Sequence, residues 1–142
     1  LTVITADVDH FKEYNDHFGH MQGDKCLRDV GIALQGSLKR PLDKAGRYGG
    51  EEFTLLWYDC PADAARALGE EARQAVESMH IRQGPQATQR TITISVGIAS
   101  SEGSESFDAG SLIRAADRAL YHAKANGRNL VMLSSDIDSQ RK

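Results

Sequence analysis

The chain has little cysteine, no excess of positive charge and no long apolar run. Its two cysteines, Cys26 and Cys60, stand apart. They fit neither a disulfide framework nor the paired spacing of a zinc site, and read as small buried hydrophobes of a reducing compartment. Seventeen basic residues stand against twenty acidic ones, for a net charge of −3. Proteins that hold nucleic-acid polymers usually carry a basic face, so no such polymer is expected as a partner. Small anionic ligands, which need only a few local cations, stay open. No stretch approaches the ~20 apolar residues of a membrane helix, and no signal peptide opens the sequence. The domain is therefore expected to be cytoplasmic, whether or not its parent protein is membrane-anchored. There is no starting Met, and the opening "LTVITAD" lies inside an apolar run, so the sequence reads as a piece of a longer protein. Repeats, low-complexity segments and internal linkers are missing as well.

What is present suits one globular domain. A chain of 142 residues fits the usual domain size of about 100–200 residues and can bury a core without staples. Residues 1–6 alternate and are rich in β-branched side chains, which predicts a strand ending at Asp7. Phe11, Tyr14 and Phe18 recur at helical spacing, predicting a short helix over 10–18. "GHMQGD" reads as a turn. Residues 25–39 predict a helix with Leu27, Val30, Leu34 and Leu38 on one face, broken before Pro41. Arg47-Tyr48 and residues 51–57 read as strands joined by Gly49-Gly50, because tight hairpin turns need positive φ. The stretch "DCPADAARALGEEARQAVESM" predicts a helix with Leu68, Ala72, Ala75 and Met79 inward. "TITISVGIA" reads as a strand. Residues 111–126 predict a helix burying Leu112, Ala116, Ala119, Leu120 and Ala123, with Gly127 at a left-handed cap. "NLVML" is the last strand. The order β-α-α-β-β-α-β-α-β favours an α/β (α+β) sandwich of helices on a central sheet. The domain is expected to span 1–134, with 135–142 a disordered tail.

The strongest chemical signal comes from carboxylates. Asp7 ends the first strand, and Glu51 and Glu52 follow the glycine pair. If the first strand lies beside the hairpin, Asp7 and Glu51 converge at one sheet end. Two carboxylates ~4 Å apart repel by about 4 kcal/mol at an effective dielectric near 20. A divalent cation turns that repulsion into attraction, and oxygen-only ligands suit Mg²⁺. Glycines there let a polyphosphate approach the backbone. The plain alternative is a hairpin with exposed glutamates, and in a regular strand Glu51 and Glu52 point to opposite faces. Spacing leaves both readings open.

Longer blocks decide between them. "DVDHFKEYNDHFGHMQGD" resembles the D-x-D-x-F-K-x-x-N-D-x-x-G-H-x-x-G-D pattern of the GGDEF domain, the diguanylate cyclase family. "RYGGEEF" resembles its signature in the GGEEF form, and "TISVGIA" and "ADRALYHAKANGRN" its later strand and last helix. The resemblance runs in family order over nearly the whole chain. It implies a palm-like nucleotide-cyclase core with a central, mostly antiparallel sheet flanked by helices. It implies condensation of two GTP into cyclic di-GMP plus two pyrophosphates by a homodimer, with Mg²⁺ (or Mn²⁺). By motif position Asp7, Glu51 and the Val8 carbonyl are expected metal ligands, and Glu52 a proton acceptor for the attacking 3′-hydroxyl. Lys12, Gly49, Gly50, Lys124 and Arg128 are expected at the phosphates.

Asn15 and Asp24 match the positions that read guanine. An ionised Asp only accepts hydrogen bonds, which suits the N1–H and N2–H₂ edge; the competing reading is that Asp24 caps a helix starting near Lys25. His20 matches a loop-supporting position. Arg40 and Asp43 form R-x-x-D, with five residues separating Asp43 from Gly49, the offset of the family's inhibitory product site. A second arginine for that site is unassigned, with Arg73 nearby. The family's usual opening helix, with D-x-L-T-x-L-x-N-R, is not in this sequence. A sensory or regulatory domain fused on the N-terminal side is the implied partner in the parent protein. The rival function is a catalytically inactive module that senses cyclic di-GMP; a third, a dimerisation scaffold, leaves the acids unexplained.

Overall fold

The computed structural model describes residues 1–38, 44–58, 60–101 and 108–140, with the backbone alone for 44, 48, 62 and 138–140. The elements run β1 (Thr2–Val8), α1 (Phe11–Phe18), α2 (His20–Gly36), β2 (Lys44–Gly49), β3 (Glu52–Trp57), α3 (Ala62–Glu77), β4 (Ile94–Ser100), α4 (Ala109–Ala125), β5 (Val131–Leu133) and α5 (Ser134–Gln140). The sheet order is β2-β3-β1-β4-β5. It is antiparallel except for the β4–β5 pair. Strand-rich segments alternating with amphipathic helices thus give the expected layered α/β arrangement. Among the described residues no helix is long and apolar enough to cross a membrane.

β1 lies at the centre and is buried along its whole length. Alternate residues serve opposite layers, as the pleat requires. Ile4, Ala6 and Val8 join Leu27, Val30, Ala72 and Val76 in the larger core. Val3 faces the other way, onto Ala99, Leu112 and Ala116. Gly97 decides how α4 sits on that second face. A Cβ there would lie 2.3 Å from both the Ala116 carbonyl oxygen and the Leu120 nitrogen, so the helix backbone rests directly on the strand. One helical turn advances about 5.4 Å and two strand residues about 6.6 Å. From Leu112 and Ala116 near Val3, and Leu120 over Gly97 in the row of Thr5, the next turn brings Lys124 to the row of Asp7.

Five local expectations are corrected. α2 starts at His20, not near Lys25, so "GHMQGD" belongs to the helix apart from Gly19. The reason is close packing: a Cβ on Gly23 would lie 1.8 Å from Asn15 Oδ1. A glycine that reads as a helix breaker is there to let α1 and α2 touch. The hairpin turn is Gly50-Glu51 rather than Gly49-Gly50, because a bulge between Arg47 and Gly49 shifts the pairing so that Gly49 faces Glu52. Gly50 takes φ +51°, and Arg47 Nε donates to its carbonyl at 2.8 Å. On α3 the buried stripe is Ala65, Gly69, Ala72 and Val76, with Leu68 and Met79 at its edge; Gly69 lies against Ile98 and Val131. The strand in "TITISVGIA" begins at Ile94, since Thr91 instead bridges Arg82.

The tail expected to be disordered from 135 instead continues as α5 through Gln140. Ile137 is buried in the molecule. Asp136 accepts from the Leu133 N–H at 3.0 Å and from Arg66 at 2.7 Å. One apolar anchor and one carboxylate dock a segment whose composition looks solvated. Residues 141 and 142 lie outside the described ones.

Candidate active site

The end of β1, the hairpin turn and the end of α4 meet at one rim of the sheet. Asp7 sits at that rim with 5% exposure, opposite Glu52 on β3 and Ser95 on β4. The Val8 N–H donates to the Glu51 carbonyl at 3.3 Å, which ties the turn to β1. Glu51 stands in the turn and not in β3, so strand alternation does not hold it away from Asp7. Burial pushes its carboxyl above the usual glutamate range, and the Asp7 charge pushes it further; Lys124 partly offsets both. The two acids, 44 positions apart in sequence, therefore share one electrostatic site.

Two cations, Lys124 in the last turn of α4 and Arg128 just after it, answer two acids, Asp7 in β1 and Asp9 just beyond it. Lys124 Nζ donates to Asp7 Oδ2. Arg128 Nη1 lies 3.9 Å from Asp9 Oδ1. Asp9 is fully buried and accepts from Thr93 Oγ1 at 2.7 Å, Ser95 Oγ at 2.6 Å and the Asn129 N–H at 3.0 Å. A buried carboxylate requires such a set of donors. Asp7 differs: its Oδ1 is buried with no hydrogen-bond partner.

That orphan oxygen is the test for a metal. A buried carboxylate oxygen without a donor, beside a second carboxylate whose proton affinity is raised by burial and by the Asp7 charge, fits a hard cation held by oxygen atoms. The candidate holders are Asp7, Glu51 and the carbonyl of Val8. Among the described residues no group of three or more His, Cys, Asp or Glu side chains forms a metal site.

The other expected residues fall into separate places. Asn15, on α1, packs against Gly23 on α2, next to Asp24, and its Oδ1 is buried without a partner. Asp24 is the fifth residue of α2, and the helix is capped at Gly19; the capping explanation of Asp24 is thereby removed. Lys12 and His20 are exposed on α1 and at the start of α2. Gly49 and Gly50 are exposed, with open space where a Cβ would stand. Arg40 and Asp43 lie outside the described residues. Arg73 is taken up elsewhere: its guanidinium bonds Glu70 and Asn129. A cavity of about 530 Å³ lies between His80 and Thr91, lined among others by Arg82, Gln83 and Arg90, and shares no lining residue with the carboxylate rim.

Asp9, Ser95, Thr93 and Asn129 are the site residues that sequence reasoning left without a role. D-x-D spacing does carry a signal for Asp9, since two residues along a strand share a face. The partners on β4 and after α4 carry none, because they are 84, 86 and 120 positions away.

Residues 1–130 match the family described as "Diguanylate cyclase, GGDEF domain". Diguanylate cyclase A of Treponema denticola is 40% identical over 136 residues, covering 96% of this chain and 36% of the relative. Diguanylate cyclase DgcM of Escherichia coli is 40% identical over 131 residues, covering 92% of this chain and 30% of the relative. The chain thus spans about a third of the length of these relatives. The crystal structure of the GGDEF domain of DgcB from Caulobacter crescentus, in complex with c-di-GMP, aligns with a TM-score of 0.82 at 34% identity, covering 94% of this chain and 77% of that one. The active GGEEF domain of a diguanylate cyclase from Vibrio cholerae aligns with a TM-score of 0.80 at 32% identity, covering 94% and 81%.

Proposed function

Since the chain belongs to the GGDEF, or diguanylate cyclase, family, we propose that it condenses two GTP into cyclic di-GMP and two pyrophosphates. Two copies face each other, each holding one GTP, and the open rim of each supplies half of the reaction space. The 3′-hydroxyl of one nucleotide forms a bond to the α-phosphorus of the other, the bond from that phosphorus to the bridging oxygen breaks, and pyrophosphate leaves. Asp7, Glu51 and the Val8 carbonyl hold Mg²⁺ (or Mn²⁺). When bound, such an ion neutralises charge on the phosphates and the leaving group. Glu52, across the ladder from Asp7, accepts the proton of the attacking hydroxyl.

The remaining work is positioning and charge stabilisation, as phosphoryl-type transfers require. Lys12, Lys124 and Arg128 hold phosphates, while Gly49 and Gly50 leave the backbone open to them. Asn15 and Asp24 read guanine, and adenine, lacking its donor pair, leaves the carboxylate unpaired. His20 supports the adjoining turn. The parent protein carries a further sensory or regulatory domain, and this domain works on the cytoplasmic side.

The partnerless Asp7 Oδ1 beside Glu51 is the observation that carries this reading. An empty fold gains nothing from concentrating negative charge there. The test is to supply the parent protein with GTP and Mg²⁺ and to separate nucleotides chromatographically. Cyclic di-GMP and pyrophosphate are expected in a 1:2 ratio by the balance above. Binding of cyclic di-GMP with no synthesis makes the domain a sensor instead. Product inhibition is assigned to Arg40 and Asp43, whose guanidinium and carboxylate suit phosphate and guanine. Arg40→Ala is expected to raise the inhibitory concentration of cyclic di-GMP by about tenfold or more and leave the initial rate unchanged. An inhibition curve that does not move removes the site.

A further inference from the structure

Asn129 meets three side chains, each with a different atom. Its N–H donates to Asp9 Oδ2 at 3.0 Å, at the end of β1. Its side-chain oxygen accepts from Arg73 Nη1 at 2.8 Å, and its side-chain nitrogen donates to Glu77 Oε2, both on α3. Arg73 is itself fixed by Glu70, which accepts from Nε at 3.1 Å and from Nη2 at 2.9 Å. Each nitrogen of the guanidinium thus has a partner, and the group in turn fixes Asn129.

The backbone at this point is unusual. Gly127, Arg128 and Asn129 follow one another at φ of +121°, +65° and +50°. Asn tolerates the left-handed region through its short polar side chain, whereas Arg has no such compensation. A non-glycine pair of this kind persists only where its surroundings over-determine it. The surroundings are visible: the Arg128 N–H returns to the Ala123 carbonyl at 3.1 Å, and Asn129 is tied on both sides. The same turn carries Arg128 to Asp9 and follows directly on Lys124, which reaches Asp7.

We propose that Asn129 is a positioning residue. Held between Asp9 and the Arg73–Glu77 pair, it locks the turn after α4 so that Arg128 is presented to the phosphates of the bound nucleotide. This inference rests on the phosphate-binding reading of Arg128 given above. Neither Asn129 nor Arg73 is asked to touch the substrate.

The test uses two ligands and the parent protein with Mg²⁺. One ligand is a GTP analogue with a methylene group between the α- and β-phosphorus atoms, which binds without condensing. The other is GMP, which keeps the guanine but lacks the outer phosphates. Asn129→Gly retains the N–H, adopts the backbone conformation without strain and deletes only the tethers to α3. It is expected to weaken the triphosphate analogue by about tenfold and GMP by less than about twofold. Arg128→Ala should show the same split. Equal losses for both ligands mean a general structural role and overturn the proposal, as does wild-type affinity for both. A split for Arg128→Ala without one for Asn129→Gly sinks the proposal and spares the phosphate reading. No split for Arg128→Ala removes both. Should Asn129→Gly fail to fold, Arg73→Met decides on the same two ligands.

Discussion

Glu51→Gln is expected to abolish cyclic di-GMP synthesis, by about 10³-fold or more, while raising the thermal stability of the protein at neutral pH. Both effects have one cause. Glu51 is placed where its charge is costly, by burial and by Asp7, a cost that the proposed cation would offset. Gln keeps the shape and removes the charge. The sign of the pH dependence follows. The folded-state pKa of Glu51 is raised, so the folded chain takes up this proton more readily than the unfolded one. Its penalty is absent below the ordinary glutamate value of about 4.3 and grows as pH rises through the folded pKa. The melting temperature of Glu51→Gln should therefore exceed that of wild type at pH 7–8, with the gap closing towards pH ~4. Comparing the two proteins at each pH cancels other carboxylates, such as Asp108, whose lowered pKa costs stability on acidification in both. Mg²⁺ should raise the melting temperature of wild type and leave that of the variant nearly unchanged. A variant that turns over GTP at the wild-type rate would end the assignment of Glu51.

Gly97→Val is expected to be the most damaging single substitution for the fold. The atoms a Cβ would meet belong to backbone: the Ala116 oxygen and Leu120 nitrogen at 2.3 Å and the Leu120 Cα at 2.8 Å. No rotamer change relieves such contacts. α4 has to lift from the sheet, and with it go the buried Leu112, Ala116, Ala119, Leu120 and Ala123. Overpacking in a close-packed core costs about 1–3 kcal/mol where side chains can yield, and more where they cannot. A loss of at least ~3 kcal/mol lowers the melting temperature by about 10 °C or more in a domain of this size. Lifting the helix also withdraws Lys124 from Asp7, so any protein that remains folded should lose activity. Gly36→Ala is the matched control, because nothing lies within 4 Å of its Cβ position. Circular dichroism melts of the two variants check the pair. A Gly97→Val protein that melts like wild type contradicts the close approach of α4 and β4.

Much of this was legible before any coordinates. Phe11 and Tyr14 at helical spacing gave α1, and the alternation of Thr2 to Ala6 gave β1, because these signals lie within a few residues of one another. The carboxylates stood out for the same reason: Glu51 beside glycines has no folding rationale of its own. Glycines were the chief source of error. Gly23 read as part of a turn and is instead a contact point within α2, where Asn15 occupies the space of a side chain; the bulge before Gly49 moved the hairpin turn on by one residue. Asp136 and Ile137 looked like part of a solvated tail, since the anchor for Asp136 is Arg66, 70 positions earlier.

Type and order of the elements from β1 to β5, the acids, and the family to which the motifs belong were determined by sequence alone, since each depends on side-chain chemistry or spacing within one segment. Which charge answers which was decided by the tertiary structure. Lys124 is 117 positions from Asp7, and Asn129 is 120 from Asp9. They meet because α4 has no side chain beneath it at Gly97 and can lie directly on β4. Contacts of that kind are set by how two surfaces pack, a property that no single stretch of the chain contains.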